Sequence, residues 1–555
     1  MSQLVFINGK VVTFDGNDRI ASAVAIQNDR IALVGSDDDI REAYAKADRV
    51  IDLKGRVLVP GLTDGHAHLD REGLKDVYPS LGGAKCIDDI LAVIAKEVKA
   101  KKPGEWIVTM PVGKPPTYWK VEEGLKEGRY PTRWDLDKVS PNNPVYIRPA
   151  WGYWSHLLPV VSVANSRALE IAGLNKSSVP AAGSIEYDRD EKGELTGIFR
   201  EQNFMPVMEL TVFSMMPRFT HLHRVQGIRT SMKAYNAFGT TGIFEEHGVS
   251  GELIAAYQEL NQNEELTVRA RLSYSPSWTD HQGFSNSWLI DKWAGMLRGR
   301  GFGDEHLRLM GFFVAAEVTL ENRLRAMCAP YTGWAGFNYD TALPKDQLIE
   351  VLVAAARLGV RPGGFAGHHL LDVFEEVHQI VPIDKQRWVL GHISNFSRRD
   401  VERIKRLGLV LTTHTNRHIR REGHINQNKK GVDPHHDVVP LRSLIDAGVH
   451  VSLATDNVPI SLFHPIWHCV NRVDQYTNEK IAPEQAITRY EALRAATYEG
   501  AYLTFDEKER GSIEVGKKAD LAVLSADPLT VAEDDIKDIA SDLTVYNGRV
   551  VHEVT

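Results

Sequence analysis

Residues Val59 to Asp70 read Val-Pro-Gly-Leu-Thr-Asp-Gly-His-Ala-His-Leu-Asp, and this stretch decides the fold. The apolar residues 57–59 predict a buried strand, which Pro60-Gly61 interrupts. Two histidines, His66 and His68, follow after a turn. In an extended chain, residues i and i+2 point the same way, so both imidazoles can reach one metal ion. The stretch therefore predicts a metal site at the end of a strand.

Length and composition are typical of a large soluble enzyme. The chain has 555 residues, a formal net charge of −8 and a sequence pI near 6.2. This charge gives no reason to expect nucleic acid or a membrane as a partner. The cysteines Cys86, Cys328 and Cys469 are far apart, which indicates neither a disulfide framework nor a thiolate zinc site.

The N-terminal residues 1–10 lack a basic region followed by an apolar core, and no apolar run is long enough to span a bilayer. These features predict a cytoplasmic protein.

Both ends of the chain predict short strands of the same style. Four apolar runs near the N-terminus are predicted strands: 4–7, 10–14, 23–26 and 30–34. Asn8-Gly9 predicts a hairpin between the first two, and Asn547-Gly548 predicts another near the C-terminus. Because each cluster is too small to form a core alone, we predict one composite β-sandwich built from residues 1–60 and 505–555.

Between these ends, apolar strand-like runs alternate with amphipathic helical stretches such as 347–358 and 398–407. Examples of the strand-like runs are 144–147, 241–244, 307–310, 387–390, 409–412 and 450–453. This alternation favours parallel βαβ units, eight of which close a barrel. We predict an α/β protein in which residues 61–504 form a (β/α)8 TIM-like barrel. Insertions at about 75–140 and 150–225 are expected over its catalytic end.

In this frame the histidine pair resembles the opening metal motif of the amidohydrolase superfamily. That superfamily has a histidine after the sixth barrel strand, as metal ligand or electrophile, and here His392 follows the run 387–390. It also has a metal-binding, proton-shuttling aspartate after the eighth strand, where Thr455-Asp456-Asn457-Val458-Pro459 stands here. The resemblance therefore implies that His392 and Asp456 are catalytic and bind the metal.

A narrower resemblance, to the branch that includes N-substituted formamide deformylase, covers nearly the whole chain. The matching segments are 137–146, 165–169, 193–201 and 444–449.

Two positions depart from the superfamily's pattern. A lysine on the fourth barrel strand usually becomes a carbamate that bridges two metal ions. Phe313 stands there, and no lysine occurs between Lys292 and Lys345. The fifth-strand histidine aligns with Phe365, unless a short shift brings in His368 or the histidine after it.

We therefore predict one metal ion bound by His66, His68, Asp456 and a further histidine, either His392 or His368. The open alternative is a glutamate that replaces the bridging lysine, with Glu245, Glu246 and Glu317 as candidates. Imidazole and carboxylate donors favour Zn²⁺.

Three residues are predicted to contact substrate. Trp154 belongs to an insertion rich in aromatic residues, some of which should line a pocket for an apolar or aromatic group. His156 lies near the family's insertion histidine. His414 follows the seventh barrel strand, where a surface loop is the open alternative.

The resemblance implies a hydrolase that cleaves a non-peptide C–N bond, such as an amide, N-formyl or carbamate-like group, with metal-activated water. It also suggests a homodimer. A deaminase or a metal-dependent decarboxylase is the alternative on this fold. A degenerate binding protein is the alternative from another class, against which the retained His66, His68, His392 and Asp456 argue.

Overall fold

The computed structural model describes residues 3–113, 121–150, 158–203, 205–278, 283–316, 324, 327–329, 331–365 and 367–554. The chain divides into two compact units. The first contains Met1–Asp70, Ile228–Glu317 and Thr341–Thr555, and the second contains Arg71–Gly227 and Val318–Asp340.

The described strands, numbered in chain order, are β1 (Gln3–Ile7), β2 (Lys10–Val12), β3 (Ile20–Ala21), β4 (Ala23–Gln27), β5 (Arg30–Gly35), β6 (Arg49–Asp52), β7 (Val57–Pro60), β8 (Leu62–Asp64), β9 (Ile107–Thr109), β10 (Val145–Ile147), β11 (Val160–Ala164), β12 (Ile185–Arg189), β13 (Leu195–Glu201), β14 (Thr240–Val249), β15 (Arg269–Tyr274), β16 (Phe302–Gly303), β17 (Leu307–Phe313), β18 (Ala315–Ala316), β19 (Ala342–Leu343), β20 (Pro362–Phe365), β21 (Val389–Ile393), β22 (Val410–Thr413), β23 (Val451–Ser452), β24 (Leu521–Leu524), β25 (Ser541–Tyr546) and β26 (Arg549–Glu553).

The described α-helices are Asp37–Ala43, Leu69–Leu74, Ile87–Ala100, Val121–Gly124, Arg133–Asp137, Ser166–Ile171, Val207–Leu210, His221–Asn236, Gly251–Gln262, Asn286–Leu297, Lys345–Leu358, His368–Ile380, Arg398–Arg406, Gly423–Gln427, Leu441–Asp446, Phe463–Asn471, Arg489–Ala495 and Tyr498–Leu503. A π-helical turn spans Asn416–Arg421, and 3₁₀ turns span Pro483–Gln485 and Glu533–Asp538.

Eight parallel strands of the first unit form a nearly closed barrel. They are paired in the order β8, β14, β15, β17, β20, β21, β22 and β23. The first and last strands approach each other where the Gly65 N–H donates to the Leu453 carbonyl at 2.9 Å. The predicted TIM-like α/β fold is thereby confirmed.

The barrel helices bury one apolar stripe each, as their sequence periodicity predicts. Helix Lys345–Leu358 buries Leu348, Val351, Leu352, Ala355 and Ala356, and ends where Gly359 adopts a left-handed φ of 68°. Helix Arg398–Arg406 begins with a capping box between Ser397 and Asp400. Both predicted helices are confirmed, within two residues at each end.

Strands from both ends of the chain form two further sheets, ordered β5-β4-β1-β6 and β26-β25-β24-β7-β2-β3. Apolar residues from both sheets, including Phe6, Val24, Leu58, Leu521 and Val545, share one core. The predicted composite β-sandwich is confirmed. The exact domain boundaries stay predictions.

The two Asn-Gly turns have different outcomes. Asn547-Gly548 joins the antiparallel pair β25 and β26, as predicted. The hairpin predicted at Asn8-Gly9 is wrong, because β1 pairs with β4 and β6 while β2 pairs with β3 and β7. This turn carries the chain from one sheet to the other, and apolar residues of both strands lie in the shared core of the sandwich.

The second unit has its own five-stranded sheet, ordered β12-β13-β11-β10-β9. Its strand β10 lies in the run 144–147. The sequence analysis included this run among the strands of the barrel. That interpretation was wrong. Strand β10 pairs parallel with β9 and antiparallel with β11, and neither of these strands belongs to the barrel. Three barrel strands, β8, β15 and β20, are not among the runs quoted from the sequence. In β15, Arg269 and Arg271 interrupt the apolar run.

Within the described ranges, no helix combines the length and the apolar character needed to cross a membrane. The cytoplasmic location and the homodimer stay predictions.

A buried ion pair joins the barrel to the terminal sheet. The Arg269 guanidinium donates to both Asp520 carboxylate oxygens, at 2.6 and 3.0 Å, and both side chains are 2% exposed. Burial opposes ionisation of Asp520, but the charge of Arg269 prevails and lowers its pKa. Asp520 also accepts the N–H of Asn547 in the C-terminal hairpin, at 2.8 Å. This aspartate therefore fixes a barrel strand to a sheet built from both termini.

We expect Arg269→Met to lower the free energy of unfolding by about 3–5 kcal/mol, because it leaves a carboxylate buried without its cation. The matched control is Arg49→Met, whose partner Glu553 lies in a pair with half-exposed side chains; its expected cost is about 0–1 kcal/mol. Urea unfolding of both variants measures the difference. Equal midpoints would contradict the role given to the buried pair.

Candidate metal centre

The predicted histidine pair lies directly beyond barrel strand β8. His66 and His68 are 1% and 2% exposed, and their Nε2 atoms are 3.2 Å apart. Two ring nitrogens this close can both bind the same metal ion.

A buried carboxylate holds this segment to the end of barrel strand β23. Asp64 accepts the backbone N–H groups of His66 at 3.1 Å and Thr455 at 2.9 Å, and the Thr455 hydroxyl at 2.5 Å. Burial raises the pKa of Asp64 to about 7. These bonds place the residues that follow β23 beside the histidine pair.

Asp456 is held in this position by its backbone. Its N–H donates to the His66 carbonyl at 2.9 Å, and its φ is 50°. The adjacent Asn457 amide accepts the His68 N–H at 2.8 Å and donates to the His68 carbonyl at 3.0 Å. The Asp456 Oδ1 atom consequently lies 3.1 Å from His68 Nε2 and 3.7 Å from His66 Nε2.

His392, at the end of barrel strand β21, directs its ring to the same point. Its Nε2 is 3.5 Å from His66 Nε2, and its Nδ1 is 3.0 Å from His414 Nδ1. Its φ of 54° is a left-handed value that costs a non-glycine residue about 1–3 kcal/mol. Burial, and then the charge of His66, holds the pKa of His392 well below its usual value, so the ring is neutral.

Ligand atoms of His66, His392 and Asp456 lie within 4.8 Å of one another, a spacing that suits a metal ion. His68 lies beside this group, with its Nε2 3.1 Å from Asp456 Oδ1. The structure thus brings together the four residues that the sequence predicted as ligands.

Two glutamates at the end of barrel strand β14 bind the outer nitrogens of the histidine pair. Glu246 Oε2 is 2.8 Å from His66 Nδ1, and Glu245 Oε2 is 3.3 Å from His68 Nδ1. Thr412 donates to Glu246 at 2.5 Å. Such carboxylates accept the Nδ1–H, which directs each Nε2 lone pair inward and increases its basicity.

The fit of Glu246 depends on a glycine. A Cβ at Gly391 would overlap the Glu246 carboxylate, so only glycine allows this approach. Although burial opposes protonation of His66, the charge and hydrogen bond of Glu246 raise its pKa above the usual value. The sequence analysis gave Glu246 as a candidate bridging ligand, and its observed contact is with the His66 ring.

The sequence analysis missed His247, which follows these glutamates. Its ligand atoms form a group within 4.8 Å with those of His66 and His68. Its ring centroid lies 4.5 Å from that of Phe313 and 4.3 Å from that of Phe365. The available signal was its place in Phe-Glu-Glu-His-Gly at the carboxyl end of a barrel strand.

Phe313 and Phe365 occupy the places where the superfamily has a lysine and a histidine. Their ring centroids are 5.0 Å apart, and Phe365 lies 4.4 Å from His392. They form an apolar wall on one side of the histidine cluster.

The remaining predicted site residues have different positions. His414 belongs to the cluster, with Nε2 3.5 Å from Asp456 Oδ2. His368 does not: it begins a helix, is mostly exposed and lies 3.7 Å from Asp400. Three further candidates lie outside the described residues: Trp154, His156 and Glu317.

An eight-stranded parallel barrel with imidazoles and a carboxylate at its carboxyl end defines the class of metal-dependent hydrolases. The sequence pattern described as "Amidohydrolase family" matches residues 49–552. The chain therefore belongs to the amidohydrolase family, and it is a hydrolase that acts on carbon–nitrogen bonds other than peptide bonds. The family membership confirms the resemblance seen in the sequence.

Three relatives illustrate the similarity. The N-substituted formamide deformylase of Arthrobacter pascens is 26% identical, covering 100% of this chain and 99% of that protein. An uncharacterized metal-dependent hydrolase from Pyrococcus horikoshii has a TM-score of 0.68 at 22% identity, over 96% of this chain and 99% of that one. An adenosine deaminase from Xanthomonas campestris with bound zinc has a TM-score of 0.53 at 15% identity, over 99% and 92% of the two chains. The two structural likenesses show the fold alone.

We expect Glu246→Gln to weaken metal binding by about 10- to 100-fold, because a neutral amide supports the His66 ring less well than a carboxylate. The control is Glu252→Gln, an exposed position on the helix that follows the same strand. Competition with a chromophoric chelator measures the affinity for Zn²⁺. Unchanged affinity in Glu246→Gln would contradict the role of this carboxylate.

Proposed function

We propose that this protein hydrolyses an amide, N-formyl or carbamate-like C–N bond of a small molecule, with one Zn²⁺ ion as cofactor. The observation that carries the proposal is the convergence of His66, His68, His392 and Asp456, with two carboxylates behind the histidine pair. A relative similar over the whole chain is a formamide deformylase, which supports hydrolysis of such a bond.

The donor set fits a divalent cation. The Nε2 atoms of His66 and His68 face each other at 3.2 Å while both Nδ1 atoms face carboxylates. With the Nδ1 protons donated outward, two lone pairs meet in a buried space, and a cation between them removes that repulsion. A cation bound there supplies Lewis acidity, which activates water and polarises a carbonyl oxygen.

The residues of the chain have distinct tasks in this proposal. His66, His68 and His392 would hold the cation. His414 contacts the other ring nitrogen of His392, with the two Nδ1 atoms 3.0 Å apart. Asp456 accepts the proton of the attacking water through its carboxylate and passes it to the leaving nitrogen. Water adds to the carbonyl carbon, the C–N bond breaks, and an acid and an amine leave.

The apolar wall of Phe313 and Phe365 favours one ion over two. Neither side chain can coordinate a metal, and both are packed against ring faces of the histidine cluster. No carbamate bridge is available at these positions, so the activity should not depend on bicarbonate.

Deamination is the second candidate reaction, since a zinc-bound adenosine deaminase shares the fold. The product separates the two. Amide hydrolysis of N-(2-phenylethyl)formamide releases formate and phenethylamine, whereas a deaminase releases ammonia from an amidine-type substrate.

Metal analysis tests the ligand set. We expect one Zn²⁺ per chain in the wild type, and loss of both metal and activity in His66→Ala and His68→Ala, with the fold retained. The control is His435→Ala, at a mostly exposed position. Because a protonated imidazole cannot bind a cation and Glu246 raises the pKa of His66, metal affinity should fall as the pH falls. Two tightly bound ions, or full metal content in either variant, would contradict the assignment.

Asp456→Asn tests the proton transfer. The amide keeps the size and one oxygen donor but lacks the basic site, so kcat should fall by about a thousand- to ten-thousand-fold. In the wild type, activity should fall on the acid side, and that limb reports Asp456 and the activated water as a coupled pair. Asp446→Asn, at an exposed position, is the control. Near wild-type turnover in metal-loaded Asp456→Asn would move the base elsewhere.

A further inference from the structure

A cavity of about 160 Å³ lies at the amino-terminal end of the barrel, opposite the proposed metal centre. Arg269 and Leu307 begin the barrel strands β15 and β17, whereas His66 follows the carboxyl end of β8. The lining of this space, called the basic cavity below, includes three carboxylates and six cationic side chains: Arg269, Arg271, Arg300, Arg308, Arg510 and Lys518.

One buried carboxylate serves four of these arginines. Asp506 accepts a bond from Arg271 Nε at 2.8 Å and another from Arg308 Nη1 at 3.1 Å. It also lies 3.3 Å from Arg510 and 3.4 Å from Arg300. Although burial opposes ionisation of Asp506, the charges of Arg271 and Arg510 lower its pKa far below the usual range. A single negative charge cannot neutralise four guanidinium groups.

The other two carboxylates of the basic cavity have cations of their own. Glu305 forms an ion pair with Lys518, which also binds Asp29 at 2.6 Å. Glu509 lies 3.4 Å from Arg30, which is not part of the cavity lining. These ion pairs leave the charge around Asp506 uncompensated.

Two buried arginines of the wall have acceptors for every nitrogen. Arg269 binds Asp520 through Nε and Nη2, and a backbone carbonyl through Nη1 at 3.0 Å. Arg271 binds Asp506 through Nε, and backbone carbonyls through Nη1 and Nη2 at 3.2 and 3.0 Å. When the ion-pair partners outside the lining are included, seven cations face five carboxylates in the described part of the chain. The basic cavity therefore keeps an excess of two positive charges.

Arg308 differs from these wall residues, because one edge of its guanidinium is free. Within the described ranges, the only hydrogen bond of its side chain runs from Nη1 to Asp506, so Nε and Nη2 have no acceptor. The side chain is 11% exposed, and neither atom is among the buried polar atoms that lack a partner, so water can reach both. Nε–H and one Nη2–H point the same way and form the edge that pairs with an oxyanion. Burial, and then the charge of Arg271, lowers the pKa of Arg308 to about 10, so the group is still a cation at neutral pH.

Arg300 supplies further donors beside this edge. Its side chain is 51% exposed, and its one hydrogen bond among the described residues runs from Nη2 to Asp506 at 3.4 Å. The Nε and Nη1 atoms of Arg300 are therefore also available to a ligand in the basic cavity.

We propose that the basic cavity binds a phosphate group, held by Arg308 and Arg300. A phosphate dianion carries the two negative charges that the cavity lacks, and its oxygens match the paired donors of a guanidinium. Because the basic cavity and the proposed metal centre lie at opposite ends of the barrel, the bound group takes no part in the proposed reaction. A free phosphate ion and a phosphate monoester share this chemistry.

Isothermal titration calorimetry with inorganic phosphate, at an ionic strength held constant with chloride, tests the site on the full-length protein. We expect one saturable phosphate per chain in the wild type. Arg308→Met should weaken binding by about 10- to 100-fold, because it removes the paired donors. Arg308→Lys, which keeps the charge without these donors, should lie between the two. Arg300→Met should weaken binding by about 3- to 10-fold, since its donors are more exposed to water.

The matched control is Arg49→Met, which removes a similarly exposed guanidinium that also lies against one carboxylate. It should change the affinity for phosphate by less than about twofold. His66→Ala should bind phosphate as the wild type does, because the proposed metal centre is not the phosphate site. Should Arg308→Met fail to fold, Arg300→Glu decides the question, since a reversed charge at this exposed position should abolish binding.

Three results would overturn the inference. They are absence of saturable binding up to about 10 mM phosphate, wild-type affinity in the Arg308 and Arg300 variants, and loss of binding in His66→Ala, which would place the ion on the metal. Methyl phosphate identifies the source of the group. Affinity at least equal to that of inorganic phosphate supports a site for a phosphate monoester, whereas binding weaker by about tenfold or more supports a site for the free ion.

Discussion

The buried carboxylate of Asp64 joins the two ends of the barrel, and the rest of the site depends on that junction. Beside the backbone bond from Gly65 to Leu453, Asp64 accepts two bonds from Thr455 and one from the His66 N–H. This side chain thereby strengthens the junction and helps to set the histidine pair beside Asp456. Its pKa near 7 records the cost of burying a carboxylate.

Behind the histidine pair lie two buried carboxylates, and each of them accepts a hydrogen bond from a hydroxyl group. Glu245 and Glu246 bind the outer nitrogens of the histidine pair, and Thr412 and Tyr257 donate to those carboxylates at 2.5 and 2.7 Å. Buried carboxylates of this kind persist because each has hydrogen-bond donors and faces a ring that becomes cationic or binds a cation. His392 and Asp456 have a left-handed backbone, which is strained for residues other than glycine. Such strain is tolerated where the surrounding hydrogen bonds and packing hold the backbone in place.

Two phenylalanines stand at positions where the superfamily's pattern has a lysine and a histidine. Phe313 and Phe365 stand on neighbouring strands and pack against His247 and His392. The coordinating side chains therefore have an apolar wall on one side.

The sequence by itself determined the features that depend on local periodicity. The i, i+2 spacing of His66 and His68 follows from how a strand directs its side chains. His392 and Asp456 were identified through the family resemblance. The fold class followed from the alternation of strands and helices. Only the tertiary structure decided which groups meet across the barrel, namely Glu246 with His66, and His247 with the two phenylalanines. It also decided that Asn8-Gly9 links two sheets. The physical reason is that these contacts join segments far apart in the chain, where pairing is set by barrel closure and burial rather than by neighbouring residues.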